Sequence, residues 1–208
     1  MYRYVGATPV NQVYLTMAEL TLDPKKRYTY ADYLTWLDDT RRELIDGFFH
    51  LMTPAPNRSH QRVAADLYLQ FGNYLAQKKC EAFFAPFDVR LPKNGETENG
   101  QLYTVVQPDI CIICDLAKLD DKGCLGAPDL IVEILSPATS SLDTDTKFKL
   151  YEAHGVKEYW LVSPVYQLID VFVLENGKYQ FQGKYHRAAT IQPSIFDDCH
   201  IDLSKVFT

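Results

Sequence analysis

Three acidic residues sit where a sequence rarely places acids. Asp109 opens the apolar run "PDICII", Asp129 opens "PDLIVE", and Glu133 lies inside the second run. Runs of β-branched and apolar residues behind a Pro-Asp entry read as buried strands. A glutamate is almost never fully buried unless it is paired, because an unpaired buried charge is too costly. Residues 129, 131, 133 and 135 share one face of their strand. If "PDICII" lies beside "DLIVEI", Asp109 and Glu133 converge at a strand pair. Two carboxylates and a free backbone carbonyl form a hard, oxygen-lined site suited to Mg²⁺ or Mn²⁺. The competing reading treats Pro-Asp as a turn device and pairs Glu133 with an arginine such as Arg41 or Arg90. Spacing leaves both readings open.

Other reactive side chains cluster less tightly. Asp143, Lys147 and Tyr151 recur at i, i+4 and i+8 and so share a helix face. From there Lys147 can reach back over the strand end, or simply pair with Asp143. Glu43 lies in "RRELIDG". His60, at the start of a helix, can contact a phosphate or hydrogen-bond a ligand carboxylate. Neither Ser59 nor Ser136 sits in a nucleophile elbow, which argues against a serine hydrolase. Cys111 and Cys114 form C-x-x-C inside a strand-like run, where side chains three apart face opposite ways, so both read as buried apolar fillers. Cys199-His200 has no partner at metal spacing.

The elements that must position these residues are legible in outline. Thr29 caps a helix to about Asp39, with Asp32 at the capping-box position. Asp46-Gly47 predicts a hairpin of Arg42 to Ile45 with Phe48 to Met52. Ser59 opens a helix to about Lys78 with Val63, Leu67, Phe71, Tyr74 and Leu75 on one face. Strands follow at Cys80 to Leu91, Val105 to Cys114 and Asp129 to Leu135. A further helix runs from Asp143 to His154 and stops at Gly155. Strands "EYWLVSP" and "YQLIDVFVL", a turn at Asn176-Gly177, "KYQFQGKY" and a short helix or tail at "DLSKVF" complete the chain. This order predicts an α/β or α+β domain built on a central mixed sheet, with an N-terminal helix and β-hairpin.

The totals narrow the class. At 208 residues the chain can bury a sizeable core, and its 47% apolar and 23% charged fractions are those of a globular protein. The first residues do not form a signal peptide, and no apolar run is long enough to span a bilayer, so a cytoplasmic location without membrane partners is expected. Five scattered cysteines describe no disulfide framework. A net charge of −6 disfavours a broad basic surface for duplex nucleic acid. It permits an enzyme acting on nucleic acid, since a bound cation inverts the local sign of a carboxylate cluster.

The segments "ELIDGFFHLM-TPAPNRSHQRV", "QPDICII", "GAPDLIVEILSPATSSLDTDTKFKLYEAHGVKEYWLV" and the closing "G-K-Y" resemble the Uma-type family of restriction-endonuclease-like proteins, within the PD-(D/E)XK nuclease superfamily. The likeness runs from about Thr29 to Phe207 and is most specific between Asp129 and Val162. Residues 1–28 read as a loosely packed arm, and over 29–208 the likeness implies a restriction-endonuclease-like mixed sheet flanked by helices. It further implies Mg²⁺ or Mn²⁺ as cofactor, DNA as substrate and a homodimer. The superfamily's two motif acids fall on Asp109 and Glu133, with the Ile134 carbonyl as a third metal ligand. Its lysine two positions after the second acid is absent, for Leu135 stands there, and the likeness implies that Lys147 replaces it. Glu43 and His60 match an acid and a histidine of the family, and Tyr151 follows Lys147 on its helix. The expected activity is metal-dependent DNA phosphodiester hydrolysis. The alternative is a catalytically inactive nuclease fold that binds nucleic acid or another partner.

Overall fold

A computed structural model describes residues 20–52, 57–136 and 142–208, with the side chains of 142 and 143 outside the description. Most of the expected arm therefore lies outside the described residues. Helix α1 (Tyr30–Tyr33) is one turn long and carries the expected capping box: Thr29 accepts from the Asp32 N–H, and the Asp32 carboxylate accepts from the Thr29 N–H. It stops well short of Asp39. Strands β1 (Arg42–Ile45) and β2 (Phe48–Leu51) pair antiparallel. Their turn places Asp46 and Gly47 at φ of 53° and 88°, the left-handed conformation an Asp-Gly hairpin turn needs. Helix α2 (Arg58–Leu75) begins one residue earlier than expected, because Asn57 and not Ser59 accepts the His60 N–H.

Prolines divide the two long strands expected next. Pro86, after a cis peptide bond, separates β3 (Glu81–Phe84) from β4 (Val89–Arg90). Pro108 separates β5 (Val105–Val106) from β6 (Ile110–Ile113). A small hairpin, β7 (Leu119–Asp120) and β8 (Gly123–Leu125), precedes β9 (Leu130–Ile134). The next helix starts as a π-helical segment over Leu142–Lys147, continues as α3 (Phe148–His154), and ends at Gly155 with φ 83°. Then follow β10 (Glu158–Ser163), β11 (Leu168–Glu175), β12 (Lys178–His186), β13 (Thr190–Ile191) and β14 (Ile201–Asp202). Of the short helix or tail expected at the end, the structure has the tail, a run of turns after β14.

The architecture is mixed α/β as expected, and its strands form two mixed six-stranded sheets in place of a single central one. The first has the order β2-β1-β5-β4-β8-β7, the second β12-β11-β10-β9-β6-β3, and β13 pairs with β14 separately. The two halves of each proline-split strand go to different sheets, which is why two form. On one face of the second sheet, Ile110, Ile112, Leu130, Val132, Ile134 and Trp160 pack with Val63, Leu67 and Phe71 of α2. On the other face Cys111, Ile113, Ile131 and Tyr159 pack with Val89 and Val106 of the first sheet and with Leu150 and Tyr151 of α3. Glu133 belongs by alternation to this second face, between the sheets.

The cysteine reading is half corrected. Cys111 is a buried free thiol, but Cys114 is disulfide-bonded to Cys80 across the β3–β6 pair, 34 positions away in sequence. Cys114 ends one of two adjacent antiparallel strands and Cys80 begins the other, a pairing no C-x-x-C spacing reveals. No described helix is long and apolar enough to cross a membrane.

Candidate active site

The β6–β9 register pairs Ile110 with Val132 and Cys111 with Ile131 antiparallel. Asp109 immediately precedes β6, at the end of the strand pair whose other member, β9, carries Glu133. Asp109 is anchored through Oδ2, which accepts the Ile134 N–H at 2.7 Å and lies 3.2 Å from His60 Nε2. Thus α2, capped by Asn57, presents a largely buried histidine to the first motif acid.

Glu133 is 3% exposed, and the puzzle of its burial has a specific answer. Its Oε1 accepts from Lys147 Nζ at 3.0 Å and from the Tyr151 hydroxyl at 2.7 Å. Arg41 and Arg90 turn elsewhere, to Gln107 and Asp120. Lys147 is itself buried, and its Nζ lies 2.9 Å from Oε1 of Glu43. Glu43 hangs from β1 in the first sheet and is 2% exposed. The backbone N–H of Gln107 also donates to Glu43 Oε1, at 2.7 Å. One ammonium therefore bridges a carboxylate from each sheet, which offsets much of the cost of burying all three groups.

The expected helical register places Asp143, Lys147 and Tyr151 on one face. Lys147 and Tyr151 do meet at Glu133; Asp143 lies outside the described side chains. A π-helical turn, of the kind that recurs at functional sites, immediately precedes α3 and ends at Lys147. Leu135, where the superfamily motif has lysine, packs with the apolar groups of the inter-sheet core. Burial pushes the Tyr151 hydroxyl well above its ordinary range, and the charges of Glu133 and Glu43 push it further. It therefore keeps its proton near neutral pH and serves as a donor to Glu133.

Asp129 takes no part in this cluster. Its carboxylate accepts from the Cys114 N–H at 2.7 Å and from Lys157 Nζ at 2.7 Å, so this Pro-Asp is a strand-entry device. Sequence reasoning missed Gln107, the residue before Pro108-Asp109. Besides holding Glu43 through its N–H, its side chain accepts from Arg41 at 2.8 Å and donates to Asp88 at 2.9 Å. The only signal in the sequence is a polar side chain between "YTVV" and "PD". Among the described residues no three His, Cys, Asp or Glu side chains group as a ready-made metal cage.

The chain is similar to known proteins in sequence and in fold. An uncharacterized protein of Synechocystis sp., slr1290, is 29% identical over 153 residues, covering 72% of this chain and 75% of its own length. The crystal structure of a putative nuclease belonging to DUF820, from Anabaena variabilis, superposes with a TM-score of 0.65 at 19% identity. It covers 86% of this chain and 97% of its own, a likeness that establishes the fold as one found in a nuclease candidate. The sequence model of the Uma2 family, described as "Putative restriction endonuclease", matches residues 30–204, from the first helix to beyond β14 and across every residue of the site, and the chain belongs to that family.

Proposed function

We propose that this protein is a Mg²⁺- or Mn²⁺-dependent endonuclease that hydrolyses DNA phosphodiester bonds, acting as a homodimer through a nuclease unit over residues 29–208. The observation that carries the reading is the convergence of Glu43, Glu133 and Lys147 beside Asp109: an ammonium held 2.9 Å and 3.0 Å from two buried carboxylates. The donor set fits a divalent cation. Asp109 and Glu133 supply carboxylate oxygens from one end of the β6–β9 pair. The Ile134 N–H points toward Asp109, so its carbonyl lies along the same strand edge. Hard oxygen donors of this kind suit Mg²⁺ or Mn²⁺. A divalent cation bound there would acidify water and offset charge building on the phosphate.

The chain's own residues supply orientation and proton handling. Lys147 directs an N–H toward the attacking water, in the role of the missing motif lysine at 135. Glu43 accepts from that ammonium and keeps it pointed into the site. Tyr151 donates to Glu133 and fixes its carboxylate, while His60 does the same for Asp109. Two such sites on a dimer would cut both strands.

A second reading is a nuclease fold that binds nucleic acid without cutting it. Lys147 favours it in one respect: its ammonium already provides a counter-cation between Glu43 and Glu133. The deciding experiment incubates supercoiled plasmid with purified protein and Mn²⁺. The endonuclease reading expects nicking that Asp109→Ala and Glu133→Ala abolish. Equal behaviour of wild type and both variants would overturn it in favour of the binding protein.

A further inference from the structure

Among the arginines near the first sheet and α2, Arg41, Arg42, Arg62 and Arg90 have very different partners, while Arg27 caps the Asp46 carbonyl. Arg42 is gripped by both oxygens of Asp38, at 2.5 and 2.6 Å. Arg62 pairs with Asp66 at 2.6 Å, and Arg90 with Asp120 at 2.6 Å. Arg41 has no carboxylate within ion-pair distance among the described residues. Its Nε and one Nη instead share the neutral amide oxygen of Gln107, at 3.3 and 2.8 Å.

This arrangement is anchored, not incidental. Arg41 continues the hairpin ladder by one position, its carbonyl accepting the Met52 N–H at 3.0 Å, so its side chain shares a face with Glu43. Gln107 joins the two, with its N–H on Glu43 and its side-chain oxygen on Arg41. The far end of that amide donates to Asp88 Oδ1 at 2.9 Å, and Asp88 Oδ2 in turn accepts from the Tyr30 hydroxyl at 2.8 Å. The amide therefore has a defined orientation, oxygen toward the guanidinium.

A guanidinium carries five N–H donors in a planar fork. Gln107 engages the edge formed by Nε and one Nη. The edge formed by the two Nη atoms keeps its donors in the geometry that grips a phosphate bidentately. Arg41 is only partly buried, which leaves that edge within reach of a ligand. We infer that Arg41, held by Gln107, is a phosphate clamp for the DNA backbone beside the Glu43–Lys147–Glu133 cluster. A neutral tether suits this task, because a carboxylate partner would cancel the charge the clamp needs. The inference rests on the nuclease reading for its ligand, but binding tests it without any cleavage.

The test measures binding of a fluorescently labelled DNA duplex by anisotropy in metal-free buffer across a salt series. Each backbone phosphate neutralised by the protein contributes about 0.9 to the slope of log affinity against log salt. Arg41→Ala and Arg41→Gln should each lower the slope by about one and weaken binding roughly tenfold at low salt. Lys178→Ala, an exposed lysine paired to Glu152 at the opposite edge of the second sheet, should leave the slope unchanged. Melting temperature verifies folding, and Arg41→Gln, which can still donate to Gln107, reads the charge if the alanine variant is unstable. An unchanged slope in a folded Arg41 variant, or no duplex binding by the wild type, overturns the clamp. Plasmid nicking decides the nuclease reading independently: a lost slope without nicking keeps the clamp and removes the enzyme.

Discussion

Lys147 Nζ lies 3.0 Å from Oε1 of Glu133, 14 positions away in sequence, and both side chains are buried. The same ammonium is 2.9 Å from Glu43, so removing it strands two carboxylates in an apolar seam. Breaking a buried ion pair from one side costs about 3–5 kcal/mol. Lys147→Met is therefore expected to destabilise the fold by about that amount in urea titration and to abolish nicking. A variant of wild-type stability that still cuts would remove Lys147 from the mechanism.

His60 acts through Asp109, from 3.2 Å. Loss of a partner that orients a metal ligand typically costs 10–100-fold in metal affinity. His60→Phe should raise the Mn²⁺ concentration for half-maximal nicking by roughly that factor, with little change in the rate at saturating metal. An unaltered metal titration would make His60 a packing residue only.

The hairpin carrying Glu43 depends on Gly47. At its φ of 88°, an added Cβ would also lie 3.1 Å from Arg27 Cβ and from the Tyr103 ring. A left-handed L-residue costs about 1–2 kcal/mol before any clash. Gly47→Ala should lower stability by at least that much, and nicking should fall with it, because β1 sets the position of Glu43. Unchanged thermal melting would show that the turn can relax to another type.

Glu158, fully buried, predicts a pH dependence. Its carboxylate accepts from Trp160 Nε1 and from the N–H and hydroxyl of Ser194, each at 2.6 Å. Burial nevertheless raises its pKa above the ordinary 4.5, outweighing these hydrogen bonds. Between the unfolded and folded values the native state binds more protons. Its contribution is thus fully present below the unfolded pKa and is lost as pH rises through the folded one. Wild type should lose melting temperature relative to Glu158→Gln as pH rises above the ordinary carboxylate range. A constant difference between the two melting curves would contradict this.

Much of the scaffold was readable because short-range chemistry sets it. Asp46-Gly47, Asn176-Gly177 and Gly155 all take the positive φ their positions demanded. Patterning marked the runs after Pro108 and Pro128 as strands, and β6 and β9 do pair; Lys147 and Tyr151, spaced to share a helix face, reach one carboxylate. What escaped was tertiary. Pro86 and Pro108 were visible, but not that they would hand the halves of each strand to different sheets. The disulfide of Cys80 with Cys114 depends on which strands become neighbours. Gln107 and Arg41 meet across 66 positions, through an amide that no local pattern marks.

Because Glu43 belongs to one sheet and Glu133 to the other, the ammonium between them works as a gauge block. An oily seam fixes its spacing through close packing, spread over many individually weak contacts. The ionic bridge that crosses it adds one strong contact whose reach is set by side-chain length. Shortening Glu43 or Glu133 by one methylene, with every charge retained, would lengthen one of the 2.9 and 3.0 Å contacts to Lys147 unless the sheets move closer. The two layers are thus aligned by a ruler one lysine long.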